Sequence, residues 1–226
     1  MNRLFITAAA ALVGMATTAS AAMFEINGGV LDSVPGGGTG MQSVTPTNDV
    51  LDALFGADTS LGGYLGSTIS LTEAAEVTVD LMGWEAAAVN DFTFAGETIG
   101  KTSPIPTFAV ADAIDDPLVS YTTSELSDLD FFFTSSVGGG VIVENTAEDN
   151  TGVGPNFFAS FGPGAEEATS GTVLWLFFDD DLVSGDNHDD LVVRLSIAGI
   201  APVPVPAGGL LLLSGLGLLA ARRRFK

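Results

Sequence analysis

Clusters of glycine and proline cut this chain into pieces too short for long helices. Pro35-Gly36-Gly37-Gly38, Gly62-Gly63, Gly138-Gly139-Gly140 and Gly162-Pro163-Gly164 read as breaks, because glycine adopts turn conformations closed to other residues and proline lacks the backbone donor. The pieces between them carry alternating or continuous apolar patterns rich in Val, Thr and Phe, the signature of short strands. Val77, Val79 and Leu81 alternate with Thr78, Asp80 and Met82, predicting a strand to about Trp84. Phe92 and Phe94, a turn at Gly96, and Thr98 to Ile99 predict a hairpin. Further strands are expected at Leu129 to Phe133, Val141 to Val143, Phe157 to Phe161, Thr172 to Phe178 and Leu191 to Ile197. The runs in the last two are apolar on both faces, as inner strands are. Pro35 to Thr47 reads as loop, and Asp49 to Phe55 as one short helix capped by Asn48. The pattern predicts an all-β fold, an antiparallel β-sandwich of jelly-roll type.

Charge narrows the partners. The 226 residues hold 28 acidic and 7 basic side chains, for a formal net charge of −21. Arg3 lies at one end and Arg222, Arg223, Arg224 and Lys226 at the other, leaving only Lys101 and Arg194 between. Such a surface repels phosphate backbones and anionic headgroups, which excludes nucleic acid as a partner. There is no cysteine, so stability must come from a packed core, bound ions or assembly rather than disulfides.

The two ends read as addresses. Residues 1–21 run from Arg3 through an apolar stretch, Leu4 to Ala16, to Ala19-Ser20-Ala21. That order of charge, apolar core and small residues is a secretory signal peptide, with signal peptidase cutting after Ala21 or Ala22. At the other end, residues 201–226 join a proline-rich segment to an uncharged stretch, Ala207 to Ala221, and then to the cation block. Fifteen residues fall short of the roughly 20 that span a bilayer comfortably. The arginines would hold the terminus on the cytoplasmic side and leave residues 22–200 outside. A permanent weak anchor is the alternative to a transient one.

The sequence Val203-Pro204-Val205-Pro206-Ala207, followed by a short apolar helix and Arg222-Arg223-Arg224, resembles the VPLPA-CTERM sorting signal, a relative of the PEP-CTERM signals of Gram-negative bacteria. Val205 stands where that motif usually has leucine. The resemblance implies cleavage near the Pro-Ala segment by an exosortase, and export to the cell envelope or an exopolysaccharide matrix. The segments VDLMGWEAAAVNDFTF and VLWLFFDDDLVSGDNHDDLVVRLSI are also similar to patterns in such exported proteins. They imply an extracellular β domain, and no enzymatic activity comes with the resemblance.

The densest polar chemistry is Asp179 to Asp190, where six carboxylates, Asn187 and the single histidine share twelve positions between two expected strands. Calcium takes six to eight oxygen ligands, and Asp179, Asp181, Asp186, Asn187, Asp189 and Asp190 are the candidate donors. The spacing is neither an EF-hand nor a glycine-rich calcium repeat. The alternative is a solvated turn whose charge keeps a hydrophobic hairpin soluble. His188 has no second histidine or cysteine with which to build an ordinary zinc site. No nucleophile elbow or nucleotide-binding spacing is present, so no catalytic residues are assigned. Trp84, Trp175, Tyr64 and Tyr121 could stack on sugars, although Trp175 lies in an apolar run and is expected in the core. The expected function is a non-enzymatic surface or matrix protein; the alternative is a calcium-dependent carbohydrate-binding module.

Overall fold

The computed structural model describes residues 21–34, 49–56, 60–86, 88–101, 109–110, 119–122, 128–151, 154–180 and 188–198. Residues Ala22–Ile200 form one compact unit. Its elements are β1 (Phe24–Val34), α1 (Asp49–Phe55), β2 (Leu61–Leu71), β3 (Glu76–Trp84), β4 (Asn90–Phe94), β5 (Glu97–Lys101), β6 (Ala109–Val110) and β7 (Val119–Thr122). There follow β8 (Phe131–Ser135), β9 (Val141–Glu144), β10 (Asn156–Ser160), β11 (Ser170–Gly171), β12 (Val173–Asp179) and β13 (Leu191–Ala198). The described strands form a nine-stranded sheet, ordered β11-β1-β2-β10-β12-β13-β3-β6 with β7 also paired to β3, and a four-stranded sheet, β5-β4-β8-β9. Their pairings are antiparallel throughout. The all-β expectation holds. The signal peptide, the sorting segment, Asn48 and the Pro35–Thr47 loop lie outside the described residues.

Alternation builds the core between the sheets. Phe92, Phe94, Phe131, Phe133 and Val143 of the small sheet meet Val77, Val79, Phe157, Leu174, Leu176, Phe178, Val193 and Leu195 of the large one. Phe133 stacks on Phe178 across the gap, with centroids 4.7 Å apart and planes within 4°. The opposite face of the large sheet is apolar too: Leu61, Leu65, Met82, Phe158, Phe177 and Val192 pack with Val50 and Leu51 of α1. This second layer is why β12 and β13 read as apolar on both faces. Trp175, expected in the core, instead lies half-buried in the second layer. Its ring meets Phe55 edge-on at 4.8 Å, and the Arg194 guanidinium sits 5.7 Å from its centroid. Arg194 also grips Asp80, Nη2 to Oδ2 at 2.7 Å, in the next strand over.

Two expectations need correction. Phe161 lies beyond the end of β10, and Gly62-Gly63 is not a break but part of β2, one of the longest strands. A Cβ on Gly63 would come within 2.3 Å of the Ala159 carbonyl oxygen, so glycine is required there by the close approach of β10. Gly29 and Gly66, with φ of +77° and +71°, lie between the paired positions Gly28↔Ser67 and Val30↔Leu65. Positive φ interrupts the alternation of faces. Leu61 and Leu65, before Gly66, accordingly join the α1 layer, whereas Ile69 and Leu71, after it, join the inter-sheet core.

Beyond the short β2–β10 pairing, side chains stand in for a strand. Asn145 accepts from the Ile69 N–H at 2.8 Å and donates to the Ile69 and Leu129 carbonyls at 2.8 and 2.9 Å. Asn150 donates to the Ser67 carbonyl and accepts from the Phe157 N–H. Both side chains are buried. Asn145→Leu would strand the Ile69 N–H, whereas the Ile69 and Leu129 carbonyls keep the Leu129 and Phe131 N–H groups, so urea denaturation should show a loss of about 1–3 kcal/mol. A loss below about 1 kcal/mol would mean that water or rearrangement replaces those bonds.

Candidate functional site at the acidic strand ends

The inner strands end in acid. β12 runs from apolar Leu176-Phe177-Phe178 straight into Asp179 and Asp180, and β13 starts just after Asp189 and Asp190. Because the strands pair, Phe178 opposite Leu191, these four aspartates gather at one rim of the sandwich. All four are buried, as are His188, Asn156, Asn90 and Ser135. The described part of the segment is therefore not a solvated turn.

Alternation splits the rim into two layers. Toward the small sheet, Asp180 Oδ2 accepts from the Ser135 hydroxyl at 3.1 Å, and Asp190 Oδ2 accepts from the Asp180 N–H at 2.7 Å. Asn90, paired with Ser135, donates to the Asp190 carbonyl at 3.4 Å. On the other side, Asp179 lies opposite Asn156. His188 Nε2 is 2.7 Å from Asn156 Oδ1, and its Nδ1 is 4.0 Å from Asp179 Oδ2. The ring also meets Phe158 edge-on. His188 has φ of +58°, an unfavourable conformation for a side-chain-bearing residue, which persists where surrounding contacts hold it. The Asp189 carbonyl accepts from the Glu85 N–H at 2.7 Å, tying the rim to the end of β3.

Of the six expected calcium donors, Asp179, Asp189 and Asp190 come together at this rim, while Asp181, Asp186 and Asn187 lie outside the described residues. Among the described residues, no group of three or more His, Asp or Glu side chains is arranged to hold a metal ion. Asp180, left out of the expected donor set, is the carboxylate that bridges the two sheets. Sequence reasoning also missed Asn156, Asn90 and Ser135, which come from distant segments. Their one local signal was position: each is a polar residue at the end of an apolar strand.

Glu166, in the turn after β10, is held below the ordinary carboxylate range by its own amide and that of Gly164. Its stabilising bonds are present at neutral pH and are lost as pH falls through that lowered value. The group is fully exposed.

No family model, curated protein or solved structure matches the chain. The reading of the rim consequently rests on its own geometry. Removing both partners of the Asp180–Ser135 bond, by Asp180→Ala and Ser135→Ala singly and together, should reveal a coupling of about 1–2 kcal/mol in denaturation cycles. Additive effects would show that the bond does not fasten the sheets.

Proposed function

We propose that this is a non-enzymatic protein exported to the cell envelope or extracellular polymer of a Gram-negative bacterium, where its acidic, jelly-roll-like sandwich acts as a surface or matrix component. Signal peptidase and an exosortase are the processing partners, with transient anchoring in the inner membrane through the C-terminal apolar segment. The observation that carries this reading is the compact unit Ala22–Ile200, whose limits coincide with the residues where the two address-like segments of the sequence meet the β domain. Its antiparallel sheets and acidic rim fit a robust cysteine-free body for use outside the cell. Intact-mass analysis of protein from its host should find a start near Ala22 or Met23 and an end near Val203-Pro204-Val205-Pro206-Ala207. Deleting residues 222–226 should impair sorting by removing the cytoplasmic stop. Mature surface material that still carries Arg224 would sink the cleavage claim.

A second reading, a calcium-dependent carbohydrate-binding module, is favoured by the burial of Asp179, Asp180, Asp189 and Asp190 together. Buried carboxylates repel one another unless protonated, hydrogen-bonded or joined by a cation. The undescribed Asp181, Asp186 and Asn187 would complete the oxygen shell. Calcium should then raise the melting temperature more than NaCl of equal ionic strength and more than magnesium, whose small octahedral shell fits an all-protein cage poorly. At a hundredfold excess over Kd the expected gain is about 2.7 kcal/mol. Asp189→Asn should remove the calcium-specific increment. No increment beyond matched salt would leave the rim a purely hydrogen-bonded closure.

A further inference from the structure

β1 is an edge strand for most of its length. β11 pairs only with Phe24 and Glu25, and the Ile26 N–H donates to the Thr169 carbonyl at 2.9 Å. From Asn27 to Val34, among the described residues, no strand pairs with the side of β1 that faces away from β2. An unpaired edge presents backbone donors and acceptors to any other extended chain, and proteins usually guard it with lysine, proline or inward-pointing charge. Between Asn27 and Val34 the only charged residue is Asp32.

The side chains at this edge are apolar and in the open. Asn27 to Leu31 are exposed without interruption, Val30 at 65% and Leu31 at 48%. A Cβ added to Gly28 would meet nothing within 4 Å. Val30 pairs with Leu65 and Leu31 with Tyr64, and cross-strand partners share a face. Leu65 belongs to the α1 layer, whereas Tyr64 packs against the inter-sheet core. Each apolar layer therefore runs out to an exposed aliphatic side chain at the same edge. A strand that extended the sheet here would need apolar side chains on both of its faces.

We propose that β1 pairs antiparallel with β1 of a second copy of this chain, making a two-fold dimer with one continuous sheet. β1 meets the edge's own requirement: it carries Val30 to one face and Leu31 to the other, and it is unpaired over the same residues. A cationic partner would find only Asp32 to meet. Symmetry also keeps the carboxylates apart. A two-fold axis at Val30 sets Asp32 opposite Gly28 of the partner subunit, and an axis at Leu31 sets it opposite Val30 of the partner subunit, so the two Asp32 side chains never pair. The contact is short, because positive φ at Gly28 and Gly29 bends the strand there, and its dissociation constant is accordingly on the order of micromolar. With a net charge of −21 per copy, long-range repulsion opposes the approach while apolar contact and backbone bonds favour it. Added salt therefore strengthens this dimer, the reverse of an association held by ion pairs. Each copy uses its β1 edge on the other, so assembly stops at two.

The absence of native cysteine makes the test direct. In the full-length chain, in mild nonionic detergent, Val30→Cys or Leu31→Cys should form an intermolecular disulfide under mild oxidation, since facing Cβ atoms lie within about 5.5 Å. Ile142→Cys, comparably exposed but on β9, should not. Sedimentation equilibrium of the unaltered chain should show monomer and dimer shifting toward dimer as NaCl is raised. Val30→Lys combined with Leu31→Lys, which sets like charges across the axis, should weaken the dimer about tenfold or more with the far-ultraviolet spectrum unchanged. If that double variant folds poorly, the cysteine variants, which barely alter β1, decide alone. A monomer at every salt concentration, unchanged dimers in the folded lysine variant, cross-linking through Ile142→Cys as efficient as through β1, or assemblies larger than two would each overturn the proposal. Dimers without a β1 cross-link would instead place the contact in the apolar C-terminal segment.

Discussion

The stacked rings of Phe133 and Phe178, one from each sheet, mark the interaction on which the architecture depends. The chain has no cysteine, so apolar contact has to hold the two layers together. Around this pair, Phe92 lies 4.8 Å from Phe133, Phe157 lies 5.9 Å from Phe133, and Phe131 lies 5.3 Å from Phe157. Each such pair contributes about 0.5–1.5 kcal/mol beyond the area it buries. The rings also set the register of the small sheet, since a one-residue slip would turn Phe131 and Phe133 outward and bring Phe132 in.

The acidic rim follows from that core. Immediately beyond Phe178 the chain becomes Asp179-Asp180, and immediately beyond Phe133 it becomes Thr134-Ser135. Stacking the phenylalanines therefore brings Asp180 and Ser135 within hydrogen-bonding distance. A row of greasy contacts closes with a polar clasp, and the same pairing places His188 against Asn156 on the other side of the large sheet. Burying carboxylates without partners would oppose folding. Here the Asp180 N–H, the Ser135 hydroxyl and the Asn90 amide provide hydrogen bonds at the rim. The large sheet likewise relies on Asn145 and Asn150 where β2 runs past its strand partner.

Much of the β content was legible because alternation is a local property. The hairpin turned at Ala95-Gly96 illustrates this: both residues have positive φ, the requirement of a tight two-residue turn, and the phenylalanines before it alternate cleanly. β1 and β2 were not legible. Gly62 and Gly63 look like punctuation, yet both lie within β2, where Gly63 admits the neighbouring Ala159 carbonyl, and the change of face comes at Gly66. Trp175 was misplaced for a related reason: an apolar run does not say which of its two buried faces leads to the deeper layer.

The amino-acid sequence alone determined the short-strand character of the chain, its acidity, the absence of disulfides and the concentration of aspartates between the last two strands. Each follows from composition or from spacings of a few residues. Tertiary structure decided which glycines lie within strands, that Phe132 faces outward from the small sheet, and that Asp179, Asp180, Asp189 and Asp190 are buried rather than solvated. Those outcomes depend on partners far away in the chain: Ser135 for Asp180, Asn156 for His188, Ala159 for Gly63. Burial and hydrogen bonding are properties of what a residue meets, and no local pattern in the sequence specifies that meeting.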